Sequence, residues 1–296
     1  MQFGAVFPTT EIGTDPVAIR DFAQAAESLG YARITAYDHV LGAEHADREP
    51  PLHGPYTPAD AFHEPMVLFG FLAGATSRIE LATGVLILPQ RQTALVAKQA
   101  VEVDVLSGGR LVLGVGTGWN HVEYTSLGTT FRDRARRMEE QIDVLRALWR
   151  DELIDHDGRF HRIERAGLNP LPDRIVPIWL GGSSDAALAR SARIGDGHIF
   201  GHAGDRIVTA ATKLRAELGA QGRDPATFGM EAIVDYGFGP DVWQAERAKW
   251  DAAGGTIVSM RAMSTAADYL RIPPPHLTSP DEHIAALERF IKEVAE

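Results

Sequence analysis

Four short stretches of this chain combine residues that can move protons, hold anions or press on a flat ligand. Asp38-His39 joins a carboxylate to an imidazole. Histidine gives or takes a proton near neutral pH, and a neighbouring carboxylate can tune it. A histidine bonded to a backbone carbonyl at a strand end is the other use of such a pair. Gly84-Val85 interrupts the apolar run Ile79 to Leu88. Glycine inside a strand marks a bulge or a close approach of backbone to ligand, and tight packing against a helix is the alternative. Gly114-Val115-Gly116-Thr117-Gly118-Trp119 sets a mobile backbone beside a large flat ring. It departs from Gly-x-Gly-x-x-Gly, so it is a weak dinucleotide signature. Trp119 can lie against a planar ligand or fill a loop core, and Glu123 is expected to bond its own loop's backbone. Gly181-Gly182-Ser183-Ser184 precedes a helix and offers free N–H groups, hydroxyls and the positive end of a helix dipole. That combination binds phosphate, and an ordinary N-cap by Ser183 or Ser184 is compatible with it.

Other chemistry falls away. The pairs His156/His161 and His198/His202 have spacings that suggest metal, but neither has a third ligand nearby, so solvent-exposed histidines are expected. Arg132, Arg134, Arg136 and Arg137 read as the wet face of a helix, paired with Glu139 and Glu140. No Gly-x-Ser-x-Gly elbow and no phosphate-binding Walker loop is present. The absence of cysteine rules out disulfides, thiolate-zinc sites and a cysteine nucleophile, and fits a cytoplasmic protein. A formal charge of −11 without a lysine-rich block argues against nucleic acid and anionic membranes. Met1 leads straight into a strand without a basic start, so no signal peptide is expected. The longest apolar run, Met66 to Ala75, is about half a membrane span.

These stretches sit at the ends of elements. Gln2 to Phe7 is a first strand, and Pro16 to Leu29 a helix opened by Asp15 with Pro at its first turn. Tyr31 to Tyr37 is the second strand and ends in Asp38-His39. Leu41 to Ala61 lacks a period and is rich in Pro, Gly, His and acidic residues, which predicts a long loop over the mouth of the fold. A helix over Phe62 to Ala75 leads to the third strand, Ile79 to Leu88. Thr93 to Leu106 is a helix stopped by Ser107-Gly108-Gly109, and Leu111 to Val115 is the fourth strand. An amphipathic helix over Asp133 to Trp149 buries Met138, Ile142, Leu145, Leu148 and Trp149, and Asp151 to Val176 is a polar excursion. Strands over Pro177 to Leu180, Asp196 to Phe200, Phe228 to Tyr236 and Thr256 to Met260 alternate with helices to the end. Apolar strands joined by helices make right-handed βαβ units and a parallel sheet. Eight of them in 296 residues are the number expected of a single (β/α)8 barrel domain, with loop insertions at the carboxyl ends of the strands, where ligands gather. A doubly wound open sheet is the competing topology.

The order Asp38-His39, Glu64-Pro65, TSRIELATGVLILPQR, LSGGRLVLGVGTGW with Glu123-Tyr124, Leu148-Trp149 and PIWLGG resembles the bacterial luciferase-like flavin and deazaflavin oxidoreductases. It is most similar to the short branch that uses the deazaflavin coenzyme F420. The resemblance spans nearly the whole chain and is densest from Phe62 to Trp149. It implies a (β/α)8 barrel holding a flavin-like ring at the carboxyl ends of the strands. It implies that Gly84-Val85 is a non-prolyl cis peptide backing that ring. Gly116, Thr117, Gly118 and Trp119 would then border the cofactor, and Gly181, Gly182, Ser183 and Ser184 would hold its phosphate. His39 would be the acid-base group, oriented by Asp38. Family members acting on sugar phosphates carry a glutamate where this chain has Trp119, so neither their substrate nor their second acid carries over. The expectation is hydride transfer between coenzyme F420 and a small organic substrate, with dimers as the family's habit and a flavin or F420 reductase as a functional partner. An FMN-dependent monooxygenase of the same fold is the alternative, and a barrel that binds flavin without turnover is the alternative of another class.

Overall fold

Short apolar runs alternating with helices close on themselves in this chain. The computed structural model describes residues 1–295. Its strands are β1 (Gln2–Val6), β2 (Arg33–Ala36), β3 (Glu80–Thr83), β4 (Leu86–Ile87), β5 (Leu111–Gly116), β6 (Ile154–Asp157), β7 (Arg162–Ala166), β8 (Ile178–Gly181), β9 (Gly197–Phe200), β10 (Gly229–Asp235) and β11 (Ile257–Arg261). Its α-helices are α1 (Pro16–Ser28), α2 (Pro65–Ala75), α3 (Thr93–Ser107), α4 (His121–Ser126), α5 (Arg134–Arg150), α6 (Asp185–Ile194), α7 (Asp205–Ala220), α8 (Pro240–Ala252), α9 (Ala267–Leu270) and α10 (Pro280–Val294). The main sheet runs β3-β2-β1-β11-β10-β9-β8-β5-β4, and a further β3–β5 pairing closes it. Every pairing in that sheet is parallel. With β4 a continuation of β3, this is a (β/α)8 barrel, and the open-sheet alternative falls.

Local chemistry sets the element ends as expected. Asp15 caps α1 by accepting from the Val17 amide, and Pro16 opens it. Gly108 ends α3 in the left-handed conformation. The α5 residues Met138, Ile142, Leu145, Leu148 and Trp149 are all buried against the barrel. Two pieces differ from expectation. The polar excursion carries an antiparallel hairpin, β6–β7, fastened to α5 where Glu140 accepts from the amides of Arg159, Phe160 and His161. The third strand is not one run but breaks at Gly84-Val85. Ala82 pairs with Val112 and Leu86 with Val115, so the β3–β4 side holds one residue more than β5 over the same span, a bulge.

Inside the barrel lie Ala82, Val112, Trp179, Ile199 and Ile257, together with a buried ionic network. Arg33 lies over the Trp179 ring at 4.1 Å and donates to Glu231 at 2.9 Å. Glu231 also accepts from Thr35 at 3.0 Å and Ser259 at 2.6 Å, so its charge is fully partnered. The larger apolar layer fills the space between strands and helices. Among the described residues no helix is long and apolar enough to cross a membrane.

Candidate active site

At the carboxyl ends of the strands a cleft of about 300 Å³ is bordered by Asp38, His39, Gly84, Val85, Gly118 and Trp119, all singled out in the sequence. Its remaining walls come from Tyr37, from Pro55 and Tyr56 of the long loop, and from Gly201, His202, Ile233, Arg261 and Leu270. The long loop does cover the mouth. It packs so closely on Trp119 that a Cβ on Gly54 would meet the indole at 2.1 Å. His45 fixes it from within by bonding the Tyr56 carbonyl at 2.9 Å.

The bulge presents Val85. The Gly84-Val85 peptide is cis. A Cβ on Gly84 would meet the Thr35 side chain at 2.2 Å, so the glycine is required by packing against a neighbouring strand rather than a helix. Behind Val85, a Cβ on Gly116 would lie 2.4 Å from one of its methyls, and a Cβ on Gly181 2.8 Å from the other. These glycines therefore form the seat on which the valine rests, one shell back from the cleft. Gly118 has φ +57 and closes against Ile87. Thr117 is held through its carbonyl, which accepts from the Tyr124 hydroxyl at 2.7 Å. Gly182, Ser183 and Ser184 are exposed at the head of α6 and do not border the cleft. Ser184 is the N-cap, accepting from the Ala187 amide, and Ser183 and Gly182 are exposed beside it, the Gly182 carbonyl turned inward to His198.

His39 is held by Glu123, not by Asp38. Its Nδ1 lies 3.2 Å from Glu123 Oε2, and both side chains are nearly buried. The other oxygen of Glu123 accepts from the amides of Val40 at 2.6 Å and Leu41 at 3.1 Å. Gln90 donates to Oε2 at 3.2 Å. Burial pushes the Glu123 carboxyl up, but the bonds from His39 and from the Leu41 and Val40 amides outweigh it and hold it below the ordinary carboxylate range. Glu123 thus bonds the loop after β2 rather than its own. It reaches there because Asn120 caps α4, accepting from the Val122 and Glu123 amides. The carboxylate of Asp38 is occupied elsewhere, accepting from Arg91 at 2.6 Å and the Ile87 amide at 2.9 Å. Arg91 bridges onward to Glu64 at 2.9 Å. Burial disfavours its charge, yet the two carboxylates outweigh that and raise its pKa.

The rings of Phe62, Tyr56 and Trp119 surround His39 at 4.9, 5.3 and 5.5 Å between centroids. Trp119 therefore both faces the cleft and packs the loop. Of the four histidines paired by spacing, His156, His161 and His198 are less exposed than expected, whereas His202 is exposed. His198 is fully buried, its Nε2 donating to the Gly182 carbonyl at 2.8 Å while Nδ1 accepts from Ser191 at 2.7 Å. Burial pushes its pKa down to about 4. His161 is pinned between Glu140 at 2.9 Å and Thr93 at 2.6 Å, and His156 is partly buried against Glu140. Glu139 pairs with Arg190 and Arg193 of α6, so the arginines that precede it are not its partners. Among the described residues no group of three or more His, Cys, Asp or Glu is placed to hold a metal.

Fold and cleft together define a (β/α)8 barrel with a cleft at the carboxyl ends of its strands. Residues 1–250 match the model of the luciferase-like monooxygenase family, and the chain belongs to that family. It is similar to an uncharacterized protein of Mycobacterium tuberculosis (strain ATCC 25618 / H37Rv), 35% identical over 225 residues, 72% of this chain and 76% of that one. It is also similar to the F420-dependent glucose-6-phosphate dehydrogenase of Mycobacterium avium (strain 104), 31% identical over 297 residues, 93% of this chain and 85% of that one. Among solved structures, the monooxygenase RslO1 of Streptomyces bottropensis superposes with a TM-score of 0.74 at 17% identity over 99% of this chain and 98% of that one, a likeness of fold.

Proposed function

We propose that this chain transfers a hydride between coenzyme F420 and a small organic substrate, with His39 as the acid-base group. The observation that carries the reading is the His39–Glu123 pair, nearly buried at the wall of a cleft whose other side is the Val85 bulge. The residues present fit a flat tricyclic ring. Val85 is half-exposed on a seat of two glycines that have no room for a Cβ, which gives the cleft one firm apolar face. Gly182 and Ser183 lie open at the head of α6, where N–H groups and the helix dipole suit the phosphate of the same cofactor. The F420-dependent relative supports the deazaflavin, and FMN is the competing cofactor.

When bound, the cofactor supplies the hydride chemistry. The chain supplies orientation, exclusion of water and a route for the proton. Glu123 is ionised and can only accept, so the ring proton of neutral His39 sits on Nδ1 and Nε2 is left as the basic nitrogen. Among the described residues Nε2 has no hydrogen-bond partner, whereas Nδ1 is committed to Glu123. His39 can thus take a proton from a substrate hydroxyl, or return one to a carbonyl oxygen in the opposite direction. Glu123 compensates the charge that forms on the ring. The loop bearing Pro55 and Tyr56, with Trp119 beneath it, keeps water from that position.

Side-by-side titration of the purified protein with F420 and FMN tests the cofactor. Tighter binding of FMN would overturn the deazaflavin assignment. Replacing His39 by Ala is expected to leave cofactor affinity near normal and to cut turnover roughly 10²–10⁴-fold. Unchanged turnover would remove the acid-base role.

A further inference from the structure

Arg261 ends β11 and borders the cleft, yet it is only 5% exposed. Its Nε donates to Asp235 at 2.6 Å and its Nη1 to the Tyr37 hydroxyl at 3.3 Å. Nη2 is buried and has no partner. A charged donor left unpaired in a protein interior is costly, so such a group in a native fold calls for a ligand or an ordered water. Its position selects the ligand. Counting round the closed sheet, β11 stands diametrically opposite β5, whose Gly116 seats Val85. A ring lying on Val85 therefore leaves Arg261 on the far wall, facing whatever occupies the remaining space.

Resting on the cofactor placement above, we propose that Arg261 is the recognition point for a carboxylate on an apolar substrate. The class follows from what the guanidinium has left to give. Two of its three nitrogens are taken, so it offers a one-sided contact rather than a fork. Asp235 already offsets its charge, which disfavours a dianion such as phosphate. A singly charged, planar group suits the free edge. The neighbouring walls, Ile233, Leu270 and Tyr56, are apolar or aromatic and suit a hydrocarbon body. His202 borders the same space and offers a further polar contact there.

Calorimetric titration with benzoate, benzamide and inorganic phosphate, with and without saturating F420, tests this. Benzoate is expected to bind at least about tenfold more tightly than either of the others, the size of one charge-assisted hydrogen bond. Arg261→Met should abolish that preference while leaving F420 affinity within about threefold, since the cofactor lies on the opposite wall. Tyr37→Phe should release Nη1 as a second donor and raise benzoate affinity severalfold, which keeps the proposal testable if Arg261→Met does not fold. Equal binding of benzoate and benzamide, a preference that survives Arg261→Met, or no gain in Tyr37→Phe would each overturn the proposal. Tighter binding of phosphate would overturn the carboxylate class. Failure of F420 to bind would count against the cofactor reading alone, because the benzoate preference is read without it.

Discussion

Replacing Glu123 by Gln separates holding His39 from filling space. All the partners of Glu123 donate: the Val40 and Leu41 amides to one oxygen, His39 and Gln90 to the other. Glutamine keeps the shape but can accept at only one end. The backbone amides cannot turn round, so the glutamine carbonyl must face them and its NH₂ must face His39 and Gln90. Both can adapt. The Gln90 Oε1 is buried without a partner, so a flip of that amide turns it from donor to acceptor. His39 can accept on Nδ1 by moving its proton to Nε2. The remaining loss is the charge on two backbone hydrogen bonds, about 1 kcal/mol each, or roughly 2 kcal/mol of stability. The functional loss is larger, because Nε2 then carries the proton it is needed to receive, and a wrong tautomer costs on the order of 10²–10⁴ in turnover. Nitrogen-15 NMR of the His39 ring reads the tautomer directly: protonated Nδ1 in the native chain, protonated Nε2 in the variant. Urea unfolding reads the stability cost, and F420 titration should show unchanged affinity. An unaltered ring in the variant, or turnover within threefold of the native value, would refute the positioning of His39 by Glu123.

Three further outcomes are expected. Glu231→Ala leaves Arg33 paired with Glu80 through Nε and Nη2 but its buried Nη1 without a partner, which should cost about 1–3 kcal/mol by urea unfolding, whereas a loss under about 0.5 kcal/mol would show that Glu231 carries little. Gly116→Ala places a Cβ 2.4 Å from a Val85 methyl. It should displace the bulge and weaken cofactor binding by roughly tenfold or more, as a clash of this kind costs about 1–3 kcal/mol; unaltered affinity would separate Val85 from the cofactor. His198 has its pKa depressed from 6.5 to about 4, so the unfolded chain takes up a proton at this site before the folded one does. Its contribution is complete above about pH 6.5 and fades as pH falls toward 4, by at most about 3 kcal/mol. The dependence should shrink in His198→Gln, and an identical pH profile in that variant would discount the effect.

The barrel was legible because its strands are short apolar runs bounded by Gly, Pro and Asp. The third strand shows the limit of that signal. Its run from Ile79 to Leu88 is mostly apolar, broken by Glu80, Thr83 and Gly84, and hydropathy does not record that one residue is left over against β5. The glycine did mark the place. The cleft was half legible. His39, Val85 and Trp119 announce themselves at strand ends, but their partners come from far along the chain. Asp38 adjoins His39 in sequence, yet successive residues leaving a strand point to opposite sides. Asp38 therefore turns to Arg91 while His39 meets Glu123, 84 positions away. Arg261 was missed because the last strand reads as ending at Met260. A charged residue closing an apolar barrel strand was the available signal. The metal-like histidine spacings misled about exposure, since His198 and His161 are placed by buried hydrogen bonds rather than by solvent.

The five tryptophans are unevenly placed. Trp149, Trp179, Trp243 and Trp250 are all at most 8% exposed. Trp119 alone borders the cleft. The protein thus carries a built-in optical gauge: emission from one indole can answer to a visitor while four others supply a constant background. Replacing Trp119 by Phe isolates that signal by subtraction. Because the chain contains no cysteine, a single thiol introduced in the loop that lies on Trp119 would accept one dye at one place. The cover could then be watched opening and shutting without removing any native sulfur.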